Sequence, residues 1–249
     1  MEKYEQQQQK FYDACEMILE KGKAQIGIGT LSEKTLHAVL KNYYEPNIEK
    51  QEIKIGRYYA DIFREAQIIE IQTRHFNKLR QKLAYFLEQY AVKIVYPIPY
   101  QKWIYWIDEQ TGEISGGRRS PKKGTIYEAL IELYKIKMFL RHENLHLDIL
   151  LIDMEEYRLL NGWSKDRKKG AHRMERIPTA LVEVLHIQRL EDYRAFIPES
   201  LSDPFTCKEF AEKAKISLRL AQTSVNILLE VNVIERIGKQ GRAYLYKRV

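Results

Sequence analysis

Two short runs decide the fold, Tyr58-Tyr59-Ala60-Asp61-Ile62-Phe63 and Gln67-Ile68-Ile69-Glu70-Ile71-Gln72. Both are strand-length, rich in β-branched and aromatic residues, and Arg64-Glu65-Ala66 between them is a tight connection suited to a hairpin. Side chains alternate faces along a strand, so Glu70 and Gln72 share one face while Ile69 and Ile71 point into a core. The hairpin returns Asp61 beside Glu70. Two carboxylates on neighbouring strands repel each other unless positive charge lies between them. A hard divalent cation, which prefers oxygen ligands, suits that place.

The flanking sequence extends the pattern. Residues 49–72 read as three strands. Upstream, Leu31-Ser32-Glu33-Lys34-Thr35-Leu36-His37-Ala38-Val39-Leu40 has apolar residues at helical spacing, with Glu33 and His37 four apart on another face. Downstream, a helix is expected from about His75 to Tyr90, with Phe76, Leu79, Leu83, Phe86 and Leu87 on one stripe. The run from Val92 to Asp108 reads as strand. There Trp103, Tyr105 and Ile107 alternate with Lys102, Ile104 and Trp106, a pattern apolar on both faces and suited to a buried strand.

Over residues 30–100 this succession resembles the core of the PD-(D/E)XK nuclease superfamily, in which an Asp precedes an acid-x-Lys on the next strand and an upstream helix adds a Glu. The resemblance implies an α/β (α+β) fold of the restriction-endonuclease-like type, a mixed sheet flanked by helices. It also implies a metal-dependent DNA endonuclease, a phosphodiester hydrolase using magnesium or manganese. In that scheme Asp61 and Glu70 hold the metal, the carbonyl of Ile71 completes the shell, and the catalytic set is Glu33, Asp61, Glu70 and Gln72. His37 would lie near the phosphate. Gln72 stands where the family usually carries Lys, a Glu-Ile-Gln form found in some branches. An amide orients water or bonds a phosphate, but it is uncharged and accepts no proton near neutrality. Nucleases of this fold that cut both strands are often dimers, so a homodimer is implied by analogy.

The chain has 249 residues, enough for a sizeable core, and 41 Lys and Arg against 34 Asp and Glu give a net charge of +7. A basic excess of this size is compatible with a polyanionic partner. The longest apolar runs are strand-length, which argues against a membrane-spanning helix. The N-terminus, with Gln6 to Gln9, lacks the apolar core of a signal peptide. Cys15 and Cys207 are expected as free thiols in a reducing cytoplasm, and two cysteines cannot build a cysteine zinc site. A first helix is expected over residues 4 to about 20. Later come a helix at about Ile126 to Phe139 and a strand through Leu145, Leu147, Ile149 and Leu151. His142 and His146 are four apart, but the alternation after Asn144 speaks for a strand and against a helical metal pair.

Two basic loops stand out. Ser115 to Gly124 reads as flexible and carries Arg118, Arg119, Lys122 and Lys123. A second begins at Asn161-Gly162-Trp163 and carries Lys165, Arg167, Lys168, Lys169 and, further on, Arg173. From Lys165 to Arg176 there are six Lys or Arg against two acids. Guanidinium groups and backbone amides both suit phosphate oxygens, so these loops are candidate nucleic-acid contacts beside the plainer reading of a solvated charged face.

The prolines and polar residues of 197–204 mark the best domain boundary, giving a nuclease-like domain over 1–197 and a second over 205–249. The second resembles a winged helix-turn-helix. Thr206 with Glu209 makes a capping box, 214–217 the turn, Leu218 to about Asn232 the second helix, and 233–246 two strands around a Gly-Lys-Gln-Gly wing. From Phe205 onward nine Lys or Arg face four acids. By that resemblance Arg219, Gln222, Thr223 and Asn226 face the duplex, with Lys239 and Arg242 on phosphates.

The leading expectation is therefore a DNA endonuclease targeted by a winged-helix module. The alternative is a non-catalytic DNA-binding regulator on a nuclease-like scaffold, and a third reading is an RNA-processing enzyme. No Gly-rich loop ending in Lys-Ser/Thr supports ATP hydrolysis, and no Ser/His/Asp or Cys/His motif appears.

Overall fold

A computed structural model of the protein describes residues 2–24, 34–159 and 172–249, with side chains over 5–20, 35–159 and 174–249. Helices α1 (Glu2–Ala24) and α2 (Lys34–Tyr44) come first and pack on each other, Phe11 meeting Tyr43 edge-on at 5.5 Å. Three strands follow where the sequence places them: β1 (Gln51–Ile55), β2 (Tyr58–Arg64) and β3 (Gln67–Ile71). Gly56, at φ +58°, makes the first turn, and a Cβ there would overlap the Tyr85 hydroxyl. The β2–β3 connection is tighter than expected, only Glu65-Ala66, with both residues at positive φ (49° and 61°) as a two-residue type I′ turn requires.

Strand β4 (Ala91–Ile107) lies parallel to β3, from Gln67 opposite Ala91 to Ile71 opposite Val95. Parallel neighbours need a crossover, which here is a 3₁₀ turn at Phe76–Leu79 running into α3 (Arg80–Leu87). The remaining strands are β5 (Arg118–Arg119), β6 (Leu145–Leu159) and β7 (His172–Ile187). They complete a seven-stranded mixed sheet in the order β1-β2-β3-β4-β6-β7, with β5 beside β4. The fold is thus mixed α/β, built on one large mixed sheet with helices around it.

Three local expectations change. The helix expected at 126–139 is broken into a 3₁₀ turn, α4 (Ala129–Leu133) and a second 3₁₀ stretch at Tyr134–Phe139, because Ile136 leaves helical geometry (φ −117°, ψ 22°). The basic stretch 115–124 is pinned rather than free. Ser120 and Gly124 donate backbone bonds to Lys102 and Tyr100, and Gly117 lies so close to the Tyr105 ring that a Cβ would overlap it. Residues 172–178, read as the end of the second basic loop, open the long strand β7.

The C-terminal segment has β8 (Phe205–Thr206), α5 (Cys207–Ala214), α6 (Leu218–Glu230), β9 (Ile234–Gln240) and β10 (Ala243–Arg248), with a small sheet in the order β8-β10-β9. The Thr206–Glu209 capping box forms as read, Thr206 accepting from the Glu209 amide at 3.3 Å and Glu209 from the Thr206 amide at 2.7 Å. Lys215, at φ +54°, turns the chain into Ser217, which caps α6 through the Leu220 amide.

The chain forms two compact units. One comprises Met1–Ile53, Pro99–Gly124 and Leu151–Glu183; the other comprises Lys54–Ile98, Thr125–Leu150 and Val184–Val249, so it includes the C-terminal segment. Both cysteines are free, Cys15 buried and Cys207 half-buried. Among the described residues no helix is long and apolar enough to cross a membrane.

Candidate active site

The hairpin brings Asp61 and Glu70 together. The β2–β3 register, Ile62 opposite Ile69, places Asp61 level with Glu70 at the end of the ladder. Asp61 there accepts a bond from the Ile71 amide through Oδ2 at 2.7 Å, its carboxylate standing where a strand carbonyl would. Strand β3 is interior, with β2 on one side and β4 on the other, and it is buried on both faces. Ile68, Ile69 and Glu70 are 0% exposed and Ile71 2%. Glu70 therefore does not stand on an open face.

Its cover is α3, which crosses over the sheet and sends Lys82 Nζ to Glu70 Oε2 at 2.6 Å. The ammonium also sits 5.7 Å from the Phe86 ring centroid. Glu70 Oε1 is buried and has no hydrogen-bond partner. Burial first, and then the Asp61 carboxylate, push the Glu70 carboxyl up to about 8, while Lys82 pulls the other way. An amine thus reaches the acids from the helix, although Gln72 leaves none on the strand. Gln72 itself is half-buried just beyond β3, its backbone N–H donating to Val95 O at 2.9 Å.

Lys82 was not singled out in the sequence. A partial signal was there: Lys82 stands one turn before Phe86, a member of the apolar stripe, so it borders the face of the helix that packs. Glu33 lies outside the described residues. His37 is on α2, in the first unit. Among the described residues no group of three or more His, Cys, Asp or Glu gathers as a metal centre. His142 takes the Asn144 amide on Nδ1 in a turn, and His146 lies on β6, so they form no helical pair.

A second charged group sits on the other face of the same part of the sheet. Lys93 pairs with Ile69 in the β3–β4 register, so it points away from the Glu70 face. Its Nζ meets Asp148 Oδ2 at 3.2 Å, and Asp148 Oδ1 meets Nδ1 of His186 at 2.7 Å. One residue each from β4, β6 and β7 makes this group. Sequence spacing alone could not have joined them.

The expected nucleic-acid contacts divide. Arg118, Arg119, Lys122 and Lys123 are exposed, and Lys123 sits over the Tyr100 ring at 4.9 Å. Lys165, Arg167, Lys168 and Lys169 lie outside the described residues, and so does the side chain of Arg173, whose backbone opens β7. In the C-terminal segment Arg219, Gln222, Lys239 and Arg242 are exposed, and Thr223 is half-buried with its hydroxyl donating to Arg219 O. Asn226 is turned to other work. Its Oδ1 accepts from Lys137 Nζ at 2.9 Å, and Lys137 also pairs with Glu230 at 2.9 Å. The last turns of α6 are docked on the 129–139 segment, so Asn226 does not face outward with Arg219. That same segment grips the crossover, Glu132 accepting from the Phe76 amide at 2.9 Å and Lys135 O from Arg80 Nε at 2.6 Å.

These features define a mixed α/β protein carrying a buried carboxylate–lysine pair beside a second acid on its central hairpin. The chain belongs to the family described as a domain of unknown function (DUF8091), which it matches over residues 34–188, from α2 through β7. It is also similar to an uncharacterized protein of Treponema pallidum (strain Nichols), 27% identical over 236 residues, covering 89% of this chain and 87% of the relative. No solved structure matches it.

Proposed function

We propose that this protein is a metal-dependent DNA endonuclease of the PD-(D/E)XK type, carrying a winged-helix module at 205–249. The observation that carries the reading is the meeting of Asp61, Glu70 and Lys82: two acids from adjacent strands and an amine 2.6 Å from one of them. The parallel β3–β4 pair joined by α3 supports it, because that is the strand, hairpin and crossover order of such a core.

The donor set fits a hard divalent ion. Glu70 Oε1 is a buried carboxylate oxygen without a hydrogen-bond partner, next to a second carboxylate, and two acids with several waters suit magnesium. Asp61 and Glu70 would hold magnesium or manganese, with the Ile71 carbonyl beside them, and the ion would polarise the scissile phosphate and acidify a bound water. The protein's own groups do the rest. The Ile71 amide fixes the Asp61 carboxylate. Lys82 keeps positive charge beside Glu70, the part that Gln72 cannot play, and attracts a phosphate oxygen as a point charge. Gln72 can orient water through its amide.

The winged-helix reading is supported by the helix, turn, helix and hairpin order, by the third strand β8, and by exposed Arg219, Gln222, Lys239 and Arg242. The second reading, a non-catalytic DNA-binding regulator, is favoured by the full burial of Glu70 under Lys82. An amine can substitute structurally for a metal and leave a scaffold without chemistry. A plasmid-nicking assay with magnesium or manganese separates the two. Wild type should cut well above the Asp61→Ala/Glu70→Ala double variant; equal cutting would end the enzyme reading in favour of the regulator.

A further inference from the structure

On the sheet strands of the first unit, one face gathers cations from four successive strands. Lys102 of β4 lies 3.1 Å from Glu156 of β6, and Arg158 follows two positions later on the same strand. Arg158 also bonds Glu156, with Nε at 2.7 Å from Oε1. Arg176 of β7 approaches the same carboxylate at 3.4 Å. On the other side of β4, strand β5 places Arg118 opposite Ile104, which shares its face with Lys102 by the two-residue period of a strand. In sheet order the four are Arg118, Lys102, Arg158 and Arg176, one from each of β5, β4, β6 and β7.

The opposite face is the one that α2 covers, since Glu175, next to Arg176, accepts from the hydroxyl of Thr35. The cationic face is left by α2, and its charged side chains keep contact with solvent: 19% for Lys102, 26% for Arg158 and 16% for Arg176, with Arg118 exposed. Glu156, at their centre, is 0% exposed. Burial lowers the Lys102 pKa, the Glu156 carboxylate opposes this, and Arg176 and Arg158 add to the lowering. Among the described residues of this face, three cations surround one buried carboxylate and a fourth stands at its edge. The Arg158 guanidinium also lies over the Trp106 ring at 5.6 Å, which holds it at the surface of the sheet.

We infer that this stripe, Arg118, Lys102, Arg158 and Arg176, binds the phosphate backbone of DNA. Four strands at about 4.8 Å spacing span roughly 14 Å, and the phosphates of one duplex strand advance about 3.4 Å each along the helix axis, so a stripe lying along the axis spans roughly four of them. Glu156 sits beneath as a positioning residue that keeps the cations aligned across the strands. The inference rests on the nucleic-acid part of the proposed function and is independent of the metal chemistry.

The test is binding of a fluorescein-labelled DNA duplex to the full chain in EDTA, followed by anisotropy over a range of KCl concentrations. Lys102→Gln and Arg118→Gln should each flatten the slope of log affinity against log salt by about 0.9, and the double variant by about 1.8. Arg158→Lys, which keeps the charge, should keep the slope, and so should Lys50→Gln, an exposed lysine on another part of the unit. Thermal melts check that each variant is folded. Folded stripe variants with the wild-type slope overturn the inference. So does a change of equal size in Lys50→Gln, which would reveal a general charge effect, and so does a wild type that does not bind. Because no metal is present, none of these results depends on whether Asp61 and Glu70 support nicking.

Discussion

Lys82 Nζ stands 2.6 Å from Oε2 of Glu70, an amine from the crossover helix closing on a carboxylate of the strand beneath it. The carboxylate side chain is 1% exposed and the lysine 19%, so solvent screens this pair far less than a surface one. Burial already favours the protonated Glu70, so removing Lys82 leaves a neutral carboxyl buried without its donor, at a cost of about 1–3 kcal/mol. Lys82→Met is expected to lower the urea midpoint accordingly and to abolish nicking, while Lys82→Arg restores most of the stability. A Lys82→Met protein as stable as wild type would mean that the pair does not hold the helix to the sheet.

The same burial fixes a pH dependence. Glu70 titrates near 4.5 when unfolded and near 8 when folded, burial being the main cause. Between those values the unfolded chain has released a proton that the folded one still holds, so this group's contribution is full below about pH 4.5 and falls as pH rises to about 8. Glu70→Gln has no proton to lose. Its stability relative to wild type should therefore climb from pH 5 to pH 8.5, measured as urea midpoints in matched buffers. A difference that stays flat, or runs the other way, would show that Glu70 is already ionised at low pH in the folded protein.

A divalent ion held by Asp61 and Glu70 in the folded state alone stabilises the protein by mass action. At about 100 times its Kd the gain is about 2.7 kcal/mol. For a chain of this size that raises the melting temperature by roughly 5–10 °C. Magnesium, manganese and calcium can each be titrated. The rise should vanish in Asp61→Asn, a variant that keeps the volume and the hydrogen bond from the Ile71 amide. An equal rise in Asp61→Asn would place the ion elsewhere.

The hairpin was legible because two signals coincide, period-two alternation and acids placed level across a short turn. The capping box at Thr206 was legible for the same kind of reason, since its bonds are local. Lys82 was only half legible: its place beside Phe86 puts it at the edge of the packed stripe, but that this edge lies over Glu70 follows only from the parallel β3–β4 register. The burial of Glu70 followed from that register as well: the parallel β3–β4 pair lays the crossover helix α3 over this face, whereas a bare hairpin would have left the acids open. The Lys93, Asp148 and His186 group and the stripe through Lys102, Arg158 and Arg176 were hidden in the same way. Each joins β4 to strands more than 50 residues further along the chain, and pairing order is a tertiary property that periodicity does not encode.

Asn226 separates a helix face read from spacing from one read from packing. At three- and four-residue spacing it should stand with Arg219, Gln222 and Thr223, but Lys137 occupies its Oδ1 and Glu230 shares the same lysine. Only the first turns of α6 are therefore open to a groove. Arg219→Ala is expected to weaken duplex binding and flatten its salt slope by about one unit if Arg219 contacts a phosphate. If it reads a base edge, the expected loss is about 1–3 kcal/mol for the preferred sequence. Asn226→Ala should leave DNA affinity unchanged and lower stability by about 1 kcal/mol through the lost hydrogen bond from Lys137. Anisotropy and chemical denaturation on the same two proteins decide the matter. Loss of DNA affinity in a fully stable Asn226→Ala protein would mean that α6 leaves its dock on residues 129–139 to bind.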